Sequence, residues 1–298
     1  MDINKTIYMT YKKPIPKKCI NRWTQLNPNY KIDFSLDNDC IQFLKDNFND
    51  YIADLFIKIP LGMHKADLWR LCKLYINSGI YADIDLVPYL NIDSLDKDIT
   101  FYTCLSIEVG SCFQAFLVNF SQPKNPLIFI FLLSFLINNP FKRVYLNASC
   151  YLNASCYDMY NCLKYILNEN IISDKKYEVS QLKIKINIGP SNYNVKYINL
   201  YYFPDELQYT IQLIQNPYKD SFKFEIKNHM LIVTRLDEST GWGHDHSIDI
   251  CFNYKTSFYF FQEDILKHND FSTAYIKFNN KKILDSRDPE YFNNNKAW

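Results

Sequence analysis

An excess of charge of either sign is missing from this sequence: 33 basic residues stand against 32 acidic ones, a formal +1 over 298 residues. No global field draws such a chain toward nucleic acid or an anionic membrane. C-x-x-C pairs are missing too, and the nine cysteines are scattered and odd in number. That argues against a disulfide framework and a zinc knuckle, and fits reduced thiols in a cytoplasmic compartment. The start, MDINKTIYMTYKK, lacks the apolar core of a secretory signal. The most apolar run, Leu127 to Ile137 between Pro126 and Pro140, is about half the roughly 20 residues a bilayer crossing needs, so it is expected to be a core helix and not a transmembrane segment. Neither G-x-x-x-x-G-K-[ST] nor G-x-G-x-x-G occurs, which argues against a P-loop or dinucleotide fold. No Pro/Gly/Ser-rich linker divides the chain, so one elaborated domain is expected.

What is present is a globular composition, 48% hydrophobic and 17% aromatic. Lys5 to Met9 reads as a short strand leading into Thr10-Tyr11 and the turn-forming Lys12 to Pro16. Ile20 to Leu26 reads as a helix stopped by Asn27-Pro28, and Lys31 to Ser35 as a strand. Asp39 to Phe48 reads as a helix with Asp39 near its N-cap, and Phe48 to Lys58 as another. Strand, helix, strand, helix begins an α/β fold, and the loop after its first strand lies where such sheets bind nucleotides. Further on, Ile99–Leu105, Gln181–Ile188, Tyr197–Phe203 and Met230–Arg235 read as strands, and Asp158–Leu167 as a helix. The hexapeptide YLNASC occurs twice in succession, at Tyr145–Cys150 and Tyr151–Cys156. A unit repeated once builds no solenoid, so a small duplication in a tolerant segment is expected.

The densest chemistry lies between Lys65 and Pro88, KADLWRLCKLYINSGIYADIDLVP. Leu68, Leu71, Cys72 and Tyr75 fall at i, i+3, i+4 and i+7, one buried helix face. Asp67 and Arg70 share a neighbouring stripe and form a polar pair at a core edge. His64 and Lys65 are expected in the first turn or on the surface. Ser78-Gly79 ends the helix, and Ile80-Tyr81-Ala82 reads as a strand running into Asp83-Ile84-Asp85, whose period of two puts both carboxylates on one side. Two such aspartates at a strand end can hold a divalent cation against a diphosphate. His244 and His246, after Gly241-Trp242-Gly243, offer a metal ligand or phosphate contact, or else mark a solvated loop. The strand GIYADIDLVP is also similar to the aspartate-nucleophile strand of haloacid-dehalogenase-like phosphatases, but no Gly-Asp-x-x-x-Asp cluster follows it.

The helix, break, strand and paired aspartates closely resemble the sugar-binding, DXD-containing region of glycosyltransferase family 32, the Och1-like mannosyltransferases and related capsular or viral enzymes. Upstream, Ile15-Pro16-Lys17 and Trp23 through Asn27-Pro28-Asn29-Tyr30-Lys31 resemble that family's start, and Asn119 through Pro126 and Gly189-Pro190 its weaker later landmarks. Three places depart from the pattern. Tyr8-Met9-Thr10-Tyr11 stands where relatives have His-Gln-Thr-Trp, Ser78-Gly79 replaces Gly-Gly, and Thr234-Arg235-Leu236 stands where relatives often have His-His-Trp.

The resemblance implies a GT-A type glycosyltransferase fold, a Rossmann-like mixed sheet flanked by helices. Residues 1–250 are expected as the catalytic domain and 251–298 as a C-terminal extension packed on it. It also implies transfer of a hexose or N-acetylhexosamine from a nucleotide-diphosphate sugar to a glycan, glycoprotein or glycolipid acceptor, with Mn²⁺ or Mg²⁺ and with retention of configuration. By position, Asp67 and Arg70 would bind the donor sugar, Asp83 ribose or sugar and the metal region, and Asp85 the metal. Thr10, Tyr11 and Tyr81 would line the donor pocket, and His244 or His246 would supply a further metal position. Such a protein is expected in the cytoplasm, the host's if viral, or in the virion. The alternatives are a catalytically inactive sugar- or protein-binding relative and, further off, the aspartate-nucleophile phosphatase.

Overall fold

The computed structural model describes residues 3–138, 154–189, 194–214, 222–236, 246–267 and 272–285. The chain opens with strand β1 (Thr6–Thr10), helix α1 (Lys17–Leu26), β2 (Lys31–Ser35), α2 (Asp37–Asn47), α3 (Asp50–Lys58) and α4 (Gly62–Asn77). Next come β3 (Gly79–Ala82), β4 (Val87–Pro88), β5 (Phe101–Leu105), β6 (Cys112–Asn119), α5 (Pro126–Asn138) and α6 (Ala154–Leu167). Strands follow to the end: β7 (Lys176–Val179), β8 (Leu182–Asn187), β9 (Val195–Asn199), β10 (Thr210–Leu213), β11 (Phe222–Lys227), β12 (Met230–Arg235), β13 (Ser247–Phe252), β14 (Thr256–Lys267), β15 (Ser272–Phe278) and β16 (Lys281–Asp285).

Most expected elements are present, with shifted ends. Asp39 is the third residue of α2, where its carboxylate accepts the Leu36 N–H at 2.9 Å. Asn49 caps α3 by accepting from Ile52 N at 3.0 Å. The strand expected over Tyr197–Phe203 begins at Val195 and ends at Asn199. Pro126 to Asn138 is the expected core helix, buried on every side through Leu136. No helix among the described residues is long and apolar enough to cross a membrane.

Among the described residues the main sheet runs β2-β1-β3-β6-β5-β14-β15-β16-β4, with β7 beside β14. The pairs β1–β2, β1–β3 and β5–β14 are parallel, and β3–β6, β5–β6 and the β14-to-β4 end antiparallel. This mixed sheet flanked by helices is the α/β architecture the sequence led us to expect. Two cores flank it. Tyr8 and Tyr81 point to the face covered by α4 and α5, and Ile7, Met9, Ile80 and Ala82 to the other, with Trp23 of α1. Two three-stranded sheets, β10-β13-β8 and β11-β12-β9, stand apart from it.

One connection fixes the shape of the sheet. β3 and β4 are six strand positions apart along the sheet, about 29 Å if it were flat. Yet only Asp83 to Leu86 lie between them, a link that reaches about 18 Å when fully extended. The sheet therefore curls until its far edge returns beside β3, and the link that closes it is the segment with both aspartates. β16 completes the closure, with Asp285 opposite Val87, and Tyr89 N donates to Ile283 O at 2.8 Å.

The turn that delivers β3 is strained. Ser78 sits at φ 52° and ψ −161°, a region suited to glycine. Gly79, at φ 96°, has no room for a Cβ, which would lie 2.9 Å from the Thr6 carbonyl oxygen. Gly79→Ala is expected to lower unfolding free energy by about 1–3 kcal/mol, and Ser78→Gly to raise it by up to about 2 kcal/mol as strain outweighs the added chain entropy. Urea unfolding of both variants measures this.

Candidate active site

Helix α4 carries the expected acid and guanidinium on one stripe because residues three apart share a face. That stripe is inside: the Asp67 and Arg70 side chains are only 8% and 5% exposed. A buried guanidinium must find partners for its donors. Arg70 Nη2 donates to Asp67 Oδ1 at 3.1 Å, Nη1 to the Gln114 carbonyl of β6 at 2.6 Å, and Nε to the Ala66 carbonyl at 3.2 Å. Its central carbon lies 4.4 Å from the centre of the Tyr81 ring, a cation–π contact. Asp67 Oδ2 accepts the Ser155 hydroxyl at 2.6 Å and lies 3.3 Å from His64 Nδ1.

Burial alone raises the Asp67 carboxyl, but Arg70, His64 and Ser155 outweigh it and hold it below the ordinary carboxylate value. Burial lowers the Arg70 value, yet Tyr81, Asp83 and Asp67 around it raise it overall. The pair is therefore ionised in the folded protein.

β3 ends at Ala82, one residue before the first aspartate. Asp83 to Leu86 is a turn, closed by Leu86 N donating to Asp83 O at 3.2 Å, so the strand expected to continue through both aspartates does not. The physical reason is the short link to β4, which needs a corner here. Asp83 N still donates to Ala115 O at 2.8 Å, and the Tyr81 hydroxyl donates to the Asp83 carboxylate at 2.5 Å. Asp83 Oδ1 stands 3.6 Å from Arg70 Nη2, with its side chain 34% exposed. Burial raises its carboxyl above the ordinary value, against the pull of Arg70 and the Tyr81 hydroxyl. Ile84 is buried, and Asp85 beyond it is partly exposed. Asp83 and Asp85 are thus the acids that meet solvent, on a frame set by two residues that do not.

Thr10 and Tyr11 stand at the same edge. Tyr8 pairs with Tyr81 in parallel register, so Thr10 and Asp83 each lie two residues beyond that pair. Thr10 Oγ1 donates to Ser35 O at 3.0 Å, and Tyr11 N donates to the same oxygen at 3.2 Å. His246 immediately precedes β13, its ring 5.7 Å from that of Phe222 and its carbonyl accepting from Ile188 N at 2.8 Å. His244 lies outside the described residues. Among the described residues no three His, Cys, Asp or Glu side chains form a metal cluster. The Asp83–Asp85 turn nonetheless supplies the hard oxygen donors that Mn²⁺ and Mg²⁺ take, a donor set that leaves positions for phosphate and water.

Three contributors escaped sequence reasoning. His64 lies in the first turn of α4, one of the two places expected, but it is fully buried against Asp67, and the i, i+3, i+6 spacing with Arg70 was the available signal. Gln114 and Ser155 come from β6 and α6, and nothing local in the sequence ties them to α4.

Arg70→Ala is expected to destabilise the fold by about 3–5 kcal/mol, because Asp67 keeps its charge without its partner. Asp67, with its value lowered, stabilises the fold fully above about pH 3.9, and that contribution is lost as pH falls through the lowered folded value. Asp67→Asn should remove that part of the acid limb. Chemical unfolding followed from neutral pH down to about pH 3 checks both.

The family model described as "Glycosyltransferase sugar-binding region containing DXD motif" matches residues 16–102. An uncharacterized glycosyltransferase of Acanthamoeba polyphaga mimivirus is 33% identical over 124 residues, 40% of this chain and 48% of the relative. The initiation-specific alpha-1,6-mannosyltransferase of Candida albicans is 28% identical over 99 residues, 30% of this chain and 26% of the relative. Its Schizosaccharomyces pombe counterpart is 29% identical over 100 residues, 31% and 25%. The chain thus spans about half the length of the first relative and about a quarter of the other two. Among solved structures, the PaToxG glycosyltransferase aligns at TM-score 0.37 with 19% identity, covering 55% of this chain and 68% of that one. The ligand-free glycosyltransferase domain of the YGT toxin aligns at TM-score 0.31 with 11% identity, covering 57% and 69%. At those scores neither likeness bears on the residues of the site. The segment 16–102, which holds Asp67, Arg70, Tyr81, Asp83 and Asp85, is similar to the glycosyltransferase sugar-binding region containing the DXD motif.

Proposed function

We propose that the chain is a metal-dependent glycosyltransferase that moves a hexose or N-acetylhexosamine from a nucleotide-diphosphate sugar to an acceptor hydroxyl on a glycan, glycoprotein or glycolipid, with retention of configuration. The observation that carries this proposal is the pair of solvent-facing aspartates in the turn after β3, backed by the buried Asp67–Arg70 pair. Residues 1–250 are the catalytic unit of this reading and residues 251–298 its C-terminal extension, of which the described strands β14 to β16 enter the same sheet.

Asp85 and Asp83 would hold a divalent cation, which would supply positive charge to offset the negative charge developing on the departing diphosphate. Thr10 and Tyr11 line the nucleotide side of the same sheet edge. Asp67 and Arg70 fix the sugar from beneath, and the Tyr81 hydroxyl keeps the Asp83 carboxylate oriented. Since Arg70 contacts Asp67, Gln114 and the Tyr81 ring at once, its position is set before any donor arrives. The relatives that are alpha-1,6-mannosyltransferases support a hexose as the group transferred.

A panel of UDP- and GDP-linked hexoses and N-acetylhexosamines with Mn²⁺ tests the proposal by calorimetry and by hydrolysis or transfer. At least one donor should bind and turn over. Asp85→Asn should cut turnover by about 100-fold or more, since a Lewis acid contributes several kcal/mol. Full activity in Asp85→Asn, or binding of no donor, contradicts the proposal. Metal-independent sugar binding without turnover would point to the inactive relative, and phosphoester hydrolysis lost in Asp83→Asn to the phosphatase.

A further inference from the structure

The polar atoms around Asp67 close into a ring. Arg70 Nη2 donates to Asp67 Oδ1 at 3.1 Å and Arg70 Nη1 to the Gln114 carbonyl at 2.6 Å. Gln114 Nε2 donates to the Ser155 carbonyl at 2.6 Å, and the Ser155 hydroxyl donates back to Asp67 Oδ2 at 2.6 Å. All four residues are buried, between 1% and 6% exposed, and they come from α4, β6 and α6. Ser155 is the ring's only member from the duplicated YLNASC segment, as the serine of its second copy.

We infer that Ser155 is a positioning residue for donor recognition: its hydroxyl fixes the Asp67 carboxylate, and through it Arg70, on the sugar side of the site. The inference rests on the glycosyltransferase proposal above. The geometry explains why a hydroxyl is needed there. Asp67 has two oxygens to orient, and Arg70 fixes only Oδ1. His64 Nδ1, at 3.3 Å from Oδ2, is the longer contact, whereas the Ser155 hydroxyl at 2.6 Å has the length of a charge-assisted bond. Without it the carboxylate can rotate about its terminal torsion, which has broad, roughly two-fold preferences. The Arg70 Nη2 paired with it would then lose its oriented acceptor, with Nη1 and Nε still held by the Gln114 and Ala66 carbonyls. Ser155, the serine of the second copy, thus joins the support of the site.

The test compares wild-type and Ser155→Ala full-length protein, each with Mn²⁺. Affinity is measured for the best nucleotide-sugar of the panel and for the matching nucleoside diphosphate, with thermal unfolding alongside. The expected result is about tenfold weaker binding of the nucleotide-sugar with the nucleoside diphosphate within about twofold, the factor for one hydrogen bond to a charged group. Ser155→Cys, nearly isosteric with a weak donor, should fall between the two and gives the comparison if Ser155→Ala does not fold. Equal loss for both ligands, or no change in a folded variant, overturns the inference while leaving the glycosyltransferase proposal standing. Failure of the wild type to bind any nucleotide-sugar overturns that proposal, and this inference with it.

Discussion

The site depends on one constraint, the cost of burying the Arg70 guanidinium. A charge taken this far out of water is tolerated only when its donors are met and its charge is answered. The chain meets that demand from three directions: Asp67 one helical turn before it, the Gln114 carbonyl on β6, and the Tyr81 ring and Asp83 carboxylate from β3 and the turn beyond. Each of those partners also belongs to a structural joint. The cation therefore pins α4 to the sheet at the point where the sheet ends and the acids begin, and a local electrostatic requirement becomes the geometry of the site.

The second consequence comes from the link between β3 and β4. Four residues close a sheet whose order would otherwise place those strands far apart, so the DXD turn is held at both ends. β3 anchors it to the parallel strands β1 and β2, and β4 to β16. Strands that arise late in the sequence thus form a wall beside residues that arise early. A loop with both ends fixed loses less freedom when it binds a ligand.

Much of this was legible in the sequence where the signal is local. The helix stripe with Asp67 and Arg70, the Ser78-Gly79 break, the short strand and the apolar helix at Leu127 to Ile137 all follow from periodicity and turn chemistry. Illegible features were those decided by distant partners. The strand stops at Ala82 because of the short reach to β4, which nothing in Asp83-Ile84-Asp85 announces. His64 is buried because Asp67 lies one turn along, a spacing that was visible but ambiguous between core and surface. Ser155 and Gln114 join the site through pairings of β6 and α6 that a single sequence does not encode locally. β14 enters the middle of the main sheet from beyond residue 250 for the same reason.

The central claim is that the buried Arg70 holds Asp83 in the arrangement that receives a metal-bound donor. A double-mutant cycle on Mn²⁺-dependent nucleotide-sugar affinity addresses it most directly, with Arg70→Lys, which keeps the charge and loses the fork, and Asp83→Asn. The account predicts that the two losses are strongly non-additive, the second substitution adding little once the first is made. Losses that simply add would show that Arg70 and Asp83 act on the donor independently, and would contradict it.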